Sequence, residues 1–128
     1  MYLLDTCVLL WLADDQGSLS HAAHQAIKEG AGNLFVSSIS GFEIAVKSER
    51  GAFVLPLPAY EWISLALLHH GIAEVPVTCD IGCRAAALPK IHRDPCDRII
   101  VATALKHDMT IVTRDATLGA YPGVRVCW

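Results

Sequence analysis

Short apolar runs alternate with longer segments of helical periodicity along the chain. The apolar runs lack polar alternation, which is typical of parallel strands buried on both faces. Strands are predicted at residues 2–4, 34–36, 72–75, 110–113 and 124–127. The pattern therefore predicts an α/β fold, with a central parallel sheet of four to five strands flanked by helices on both faces.

Capping residues and glycines mark the ends of six predicted helices. The first follows Asp5 and Thr6 and runs to about residue 14, and the others are expected at about 20–30, 38–50, 59–70, 78–88 and 94–107. The last of these begins with an N-cap acid followed by proline at the first helical position. Three glycines supply stop signals: Gly30, Gly51 and Gly71.

Four acidic side chains fall at strand ends or in the first turns of helices. Asp5 follows the first strand and Asp115 the fourth, whereas Glu43 and Asp97 lie near helix starts. Ligands of open α/β sheets bind beyond the carboxyl ends of the strands. Capping by Asp5 and a turn at Asp115 are structural alternatives. Structural caps have no reason to converge on one edge, so we expect a carboxylate cluster there.

Glu43 and Asp97 also have structural alternatives that spacing alone leaves open. Ser40-x-x-Glu43 matches a capping box, which would account for the glutamate without any ligand. Asp94 is expected to cap the last helix, and Asp97 would then be its reciprocal acid or would favour the helix dipole.

Clustered carboxylates repel one another unless a cation or protonation neutralises them. Mg²⁺, with Mn²⁺ close behind, suits a few carboxylates together with water and a phosphate. Such a metal orients a water, lowers its pKa and neutralises charge on a phosphate under in-line attack. Cys7, Ser38 and Ser40 have no obvious histidine partner as nucleophiles, so the acids predict metal-dependent phosphoryl chemistry.

Composition limits the possible partners. The chain has 128 residues, 53% hydrophobic and 18% charged, and we expect one folded domain over 1–128. Its formal charge of −3, from 10 basic and 13 acidic side chains, argues against gripping nucleic acid by charge alone. If the four clustered acids hold metal, 9 acidic side chains remain of the 13, so the acidity is concentrated in the site.

Targeting and cysteine patterns favour a cytoplasmic protein without membrane contact. The start of the chain lacks a basic n-region, and its longest apolar run, residues 7–13, is far below the roughly 18 residues of a membrane span. The five cysteines contain no C-x-x-C pair, which predicts neither a disulfide framework nor a zinc site.

The candidate residues lie in four ordered blocks: LLDTCVL at 3–9, S-x-x-S-x-x-E at 37–43, HRDPCDRIIVATA at 92–104 and IVTRD at 111–115. Together these blocks resemble PIN-domain ribonucleases, and the closest branch is the VapC-like toxins of bacterial toxin–antitoxin pairs. The resemblance spans the whole chain and implies a PIN-like fold. One departure is Cys96, where this branch commonly has an aromatic residue, and this weakens inferences about substrate shape.

The resemblance implies a metal-dependent endoribonuclease with a Mg²⁺ or Mn²⁺ site. It assigns the catalytic and metal-holding roles to four acids: Asp5, Glu43, Asp97 and Asp115. Accessory roles fall to Asp94, as a capping residue, and to the hydroxyls of Thr6 and Thr113 beside the acids. His92 lies nearest the acids among the histidines, and we interpret it as structural rather than catalytic.

Basic side chains near the acids are candidates for holding the RNA backbone, although each also fits a solvated helix face. They are Lys47, Arg50, Lys90, Arg93, Arg98 and Arg114.

The resemblance also implies an antitoxin that places a basic side chain into the acidic site, and a homodimer. Two rival functions use the same residues: a metal-dependent phosphoesterase or DNA nuclease, and a non-catalytic PIN-like binding module.

Overall fold

The computed structural model describes residues 1–128, which form five strands and six α-helices. The strands are β1 (Tyr2–Leu4), β2 (Leu34–Ser37), β3 (Ile72–Val75), β4 (Thr110–Val112) and β5 (Arg125–Cys127). The helices are α1 (Thr6–Asp14), α2 (His21–Glu29), α3 (Ile39–Glu49), α4 (Ala59–His70), α5 (Cys79–Ala87) and α6 (Pro95–His107). Short 3₁₀ segments occupy Gln16–Ser18 and Ala116–Ala120.

All five strands are parallel, in the order β3-β2-β1-β4-β5. Leu4 at the end of β1 is in register with Val36 on one side and Val112 on the other. The chain builds outward from β1 in one direction through β2 and β3, then crosses to β4 on the opposite side. The resulting switch point between β1 and β4 is where open α/β sheets bind ligands.

Helices cover both faces of the sheet, which confirms the predicted fold class. Alternate residues of β1 face opposite ways, so Leu4 packs with α1–α4, whereas Leu3 packs with α6. Helix α5 lies outside α6, against which it buries Ile81 and Ala85. None of the helices has the length and apolar character that crossing a membrane requires.

The helix ends match the predicted stop signals, but Gly71 and Gly30 end their helices for different physical reasons. Gly71 ends α4 in the left-handed region, with φ +62°, as a C-terminal glycine is expected to do. Gly30 directly follows α2, so the predicted stop is confirmed, but its φ is −81° and the left-handed region is not used there. A Cβ at Gly30 would lie 2.6 Å from Tyr2 Cδ2 and 3.0 Å from the Ala26 carbonyl oxygen. The glycine is needed because the chain passes too close to β1 for any side chain.

Candidate active site

Asp5 lies at the switch point, directly after the central strand. Its Oδ1 accepts a hydrogen bond from the Thr6 backbone N–H at 2.7 Å, and its Oδ2 accepts one from Thr113 Oγ1 at 2.7 Å. The capping alternative for Asp5 is therefore correct, and it coexists with a place in the acid cluster. Burial raises the pKa of Asp5 above its ordinary value, and the charges of Glu43 and Asp115 raise it further.

The first helical turns of α3 hold Glu43 with 9% of its surface exposed. The helix begins at Ile39, after the N-cap residue Ser38, so Ser40 is inside the helix and the capping-box interpretation is wrong. Ser40 Oγ instead contacts Thr6 Oγ1 at 2.8 Å, which joins α1 to α3. Glu43 Oε2 is paired with Lys47 Nζ at 2.9 Å, one helical turn further on.

At the start of α6, Asp94 and Asp97 have different roles. Asp94 caps the helix through a 2.9 Å hydrogen bond from the Cys96 N–H, as predicted. Asp97 has no hydrogen-bond or ion-pair partner within the chain, so it is not the reciprocal acid of a capping box. Burial raises the pKa of Asp97 from 3.8 to about 6, with further contributions from the charges of Asp94, Asp5 and Glu43.

Asp115 follows β4 and is held by more donors than any other acid of the cluster. Its Oδ1 accepts from the Thr117 N–H at 2.9 Å and from the Thr117 hydroxyl, and its Oδ2 lies 3.0 Å from His92 Nε2. These contacts, the Thr117 hydroxyl first, hold the pKa of Asp115 below its ordinary value. Its backbone N–H donates to Thr113 Oγ1 at 3.0 Å, so the Thr113 hydroxyl connects Asp115 to Asp5.

The mutual effects of these acids show that three of them share one region. Asp5, Glu43 and Asp97 each contribute charge that raises the pKa of Cys7, and Glu43 and Asp97 do the same for Cys96. Burial is the largest cause for both thiols, and the pKa of Cys96 reaches about 11. Thiols held in the neutral form are poor nucleophiles, so Cys7 and Cys96 are not suited to that role.

The donor set has the chemistry that a hard divalent cation requires. All four acids offer carboxylate oxygens, and a cation would relieve the repulsion that raises the pKa values of Asp5 and Asp97. In the present arrangement no group of three His, Cys, Asp or Glu side chains is placed to hold a metal ion. Glu43 and Asp115 are directed instead to their partners Lys47 and His92.

A cavity of about 340 Å³ adjoins the cluster between α3 and the start of α6. Its wall is apolar on one side and charged on the other, and it is lined by Ile39, Phe42, Glu43, Val46, Lys47, Arg50, Asp94, Pro95 and Cys96. Phe42 is 63% exposed at this wall, which is unusual for a phenylalanine. The cavity therefore joins an exposed aromatic ring and basic side chains to the acid cluster.

Most of the predicted RNA-binding cations are exposed and unpaired. Arg50, Lys90, Arg93 and Arg114 are exposed and form no ion pair. The basic side chains far from the acids are mostly paired: Arg84 and Lys106 with Asp80, and Arg125 with Asp108. Of the four unpaired cations, Arg50 shares a cavity wall with Glu43, and the other three neighbour site acids in the sequence.

For Arg98 the structure corrects the prediction of an RNA contact. Its guanidinium donates to the carbonyl oxygens of Ala85, Ala86, Leu88, Pro89 and His92, at 2.8 to 3.3 Å. These carbonyls lie at the end of α5 and in the loop that leads to α6. Arg98 therefore stabilises the loop before Asp94 and has its terminal donors occupied.

Sequence reasoning missed two contacts of the acids. The i, i+4 spacing of Glu43 and Lys47 was a signal for their ion pair, whereas the contact of His92 with Asp115 spans 23 positions and has no local signal. Of the two accessory threonines, Thr113 donates to Asp5 through its hydroxyl, but Thr6 contacts it only through the backbone.

The parallel sheet with acids at its switch point defines an open α/β domain, and comparison identifies its family. Residues 2–124 match the PIN domain, and the chain belongs to this family. Over 120 residues it is 38% identical to Ribonuclease VapC22 of Mycobacterium tuberculosis, covering 93% of this chain and 90% of that protein. The resemblance predicted from the four sequence blocks is confirmed.

Solved structures share the same fold. A toxin-antitoxin complex from Klebsiella pneumoniae aligns with a TM-score of 0.66 and 24% identity, over 97% of this chain and 95% of that one. VapBC2 from Rickettsia felis, bound to a DNA fragment from its promoter, aligns with a TM-score of 0.72 and 14% identity, over 98% and 96% of the two chains. At these identities the likeness concerns the fold.

Proposed function

We propose that this chain is a metal-dependent endoribonuclease and the toxin of a toxin–antitoxin pair. One observation carries the catalytic part: Asp5 and Asp97 are removed from solvent near the switch point of the sheet, and burial together with neighbouring acidic charge, including that of Glu43, raises the pKa values of both. A fold rarely gathers such charge without a cation to balance it. The 38% identity to a protein named as a ribonuclease supports RNA as the substrate.

Asp5, Glu43, Asp97 and Asp115 are the residues that would hold Mg²⁺ or Mn²⁺. When bound, the cation supplies an acidified water and stabilises charge on the phosphodiester. Thr6 N–H and Thr113 Oγ1 each donate to one oxygen of Asp5, so its carboxylate is oriented before any ligand arrives. Asp97 has both oxygens free because no group of the chain donates to it.

The cavity beside the acids is the proposed path of the RNA strand. Arg50 and Lys47 lie on its wall and would neutralise backbone phosphates, while the exposed ring of Phe42 offers a surface on which a base can stack. Arg93 and Arg114 each precede a site acid in the sequence and are exposed. Metal-free protein is therefore expected to bind RNA weakly, because the uncompensated acids repel the phosphates.

An antitoxin partner and a homodimer complete the proposal, together with a cytoplasmic location. The likeness to toxin–antitoxin complexes supports the antitoxin. Apolar side chains on α4 support a protein contact, since Tyr60 is 83% and Leu68 80% exposed. Light scattering of the purified chain tests the dimer; a mass of 13.8 kDa would contradict it.

Asp5→Asn is the direct test of the reaction. The purified variant should cleave no RNA in Mg²⁺ or Mn²⁺, whereas Asp14→Asn, at an exposed acid on the same helix, should cleave as the unchanged chain does. Cleavage of RNA by Asp5→Asn at the unchanged rate would refute the proposed site.

Substrate choice separates the rival functions. The metal-loaded chain is incubated in parallel with RNA, single-stranded DNA and a small phosphoester, each with and without EDTA. Cleavage of RNA alone supports the proposal, while preference for DNA or the phosphoester supports the alternative nuclease or phosphoesterase. Loss of all three activities, with no rise in melting temperature on adding metal, would indicate a binding module.

A further inference from the structure

We propose that His92 is a positioning residue for Asp115, and that Tyr121 holds its ring in the Nε2–H tautomer. The consequence for the reaction rests on the proposed function, but the tautomer does not. His92 lies in the loop before α6 and Tyr121 follows the 3₁₀ segment Ala116–Ala120. Their rings are stacked, with centroids 5.6 Å apart and planes at 21°.

The direction of each hydrogen bond follows from the buried Tyr121 hydroxyl. Tyr121 is 1% exposed, so its hydroxyl proton needs a partner within the protein. The hydroxyl oxygen accepts the His92 backbone N–H at 2.9 Å, and His92 Nδ1 lies 3.1 Å away. A backbone N–H can only donate, so Nδ1 is the single acceptor for the hydroxyl proton. Nδ1 therefore carries no hydrogen, and the neutral ring has its proton on Nε2.

The Nε2–H group of His92 points toward Asp115. It lies 3.0 Å from Asp115 Oδ2 and 2.9 Å from Thr117 Oγ1. The Thr117 hydroxyl gives its own proton to Asp115 Oδ1, so its oxygen can accept from His92. The Nε2 proton of His92 is thus shared between Asp115 Oδ2 and Thr117 Oγ1, and the Thr117 hydroxyl itself donates to Asp115 Oδ1.

Each carboxylate oxygen of Asp115 therefore accepts a hydrogen bond, and the two bonds together fix the orientation of the carboxylate. Oδ1 is held by Thr117, which is only two positions away and moves with the same turn. His92 alone attaches Oδ2 to a different part of the chain, the loop that leads to Asp94 and Asp97. The ring therefore sets the position of Asp115 relative to the acids at the start of α6, and the Tyr121 hydroxyl determines that the ring acts as a donor.

The tautomer is measured directly by two-bond ¹H–¹⁵N correlation spectra of the ¹⁵N-labelled chain at pH 8 with EDTA. Comparison with His92→Gln assigns the His92 signals. We expect the Nε2–H pattern in the unchanged chain and a population of Nδ1–H in Tyr121→Phe, which keeps the stacked ring and removes the hydroxyl. An Nδ1–H pattern in the unchanged chain would overturn the inference, and this spectrum suffices if Tyr121→Phe fails to fold.

A matched pair of variants tests the positioning of Asp115. His92→Gln places an amide nitrogen near the position of Nε2, whereas the shorter His92→Asn reaches only the position of Nδ1. Both lose the stacking on Tyr121 equally. Loss of such a supporting contact lowers metal affinity or activity by about 10- to 100-fold. We expect this loss in the His92→Asn variant but not in the His92→Gln variant. Mn²⁺ affinity by calorimetry and the RNA cleavage rate are the two measurements.

The outcomes separate this inference from the proposed function. Equal losses in the Gln and Asn variants would show that only the packing of the ring matters and would overturn the positioning role. If the unchanged chain binds Mn²⁺ but cleaves no RNA, the proposed function fails, while a Gln variant with higher Mn²⁺ affinity than Asn still supports the inference.

Discussion

Asp97→Asn should stabilise the metal-free protein while removing its response to metal. The change keeps the shape of the side chain and removes a charge that burial and neighbouring acids disfavour. Burial is the largest cause that raises the pKa of Asp97, the charges of Asp94, Asp5 and Glu43 raise it further, and His92 lowers it. No hydrogen bond within the chain is lost, because Asp97 has no partner. The substitution therefore removes an unfavourable interaction from the folded state.

The magnitude follows from the pKa of Asp97, which rises from 3.8 to about 6 on folding. A fully shielded carboxyl with this difference would reduce the free energy of unfolding by roughly 3 kcal/mol. Asp97 is only partly buried, and solvent screening lowers the expected gain in Asp97→Asn to about 1–2 kcal/mol. For a chain of this size that gain raises the melting temperature by about 3–8 °C.

The pH dependence has a definite sign. Below pH 3.8 the carboxyl is protonated in both the folded and unfolded states and has no charge effect on stability. Between pH 3.8 and about 6 the unfolded chain releases the proton first, so the wild-type loses stability as the pH rises. The full loss persists above pH 6. The advantage of Asp97→Asn should therefore be complete at pH 8 and small near pH 4.

Thermal unfolding in EDTA, followed by circular dichroism at pH 8 and pH 4, measures this advantage. Asp14→Asn is the control for loss of an exposed acid. In a second series, Mn²⁺ should raise the melting temperature of the unchanged chain more than that of Asp97→Asn, since only the unchanged chain keeps the Asp97 carboxylate as a metal ligand. An Asn variant that is no more stable than the unchanged chain at pH 8 in EDTA would refute the argument from repulsion and burial.

Three further predictions follow from individual contacts. Arg98→Ala should lower the free energy of unfolding by about 2–3 kcal/mol, since several charged hydrogen bonds are lost; unchanged urea denaturation with a raised KM for RNA would instead indicate an RNA contact. Gly30→Ala should lose about 1–3 kcal/mol from its clash with Tyr2, while Gly17→Ala, where a Cβ would make only an ordinary 3.6 Å contact with Asp15 Oδ1, should unfold as the unchanged chain does. Thr113→Val removes a donor that lowers the pKa of Asp5, so the acidic limb of the kcat/KM profile should move to higher pH; an unmoved limb would exclude Asp5 as the titrating group.

The local sequence pattern predicted the elements well because their signals act between near neighbours. The Asp94-Pro95 start of α6 and the Gly71 end of α4 depend on hydrogen bonds and torsions within one helical turn. The capping box at Ser40 failed because α3 begins at Ile39, with Ser38 as the N-cap residue, so Ser40 already lies inside the helix. Strand β2 ends at Ser37, so the chain turns into α3 at Ser38 and leaves no room for a later helix start.

The sequence by itself determined the α/β order of elements and placed four acids at strand ends and helix starts. Only the tertiary structure decided which distant residues the acids contact. Thr113 reaches Asp5 across 108 positions because β4 pairs directly with β1, and His92 reaches Asp115 because Tyr121 is buried beneath it. Arg98 became part of the scaffold because the end of α5 presents carbonyls to it. Such contacts depend on strand order and loop path, which no local pattern encodes.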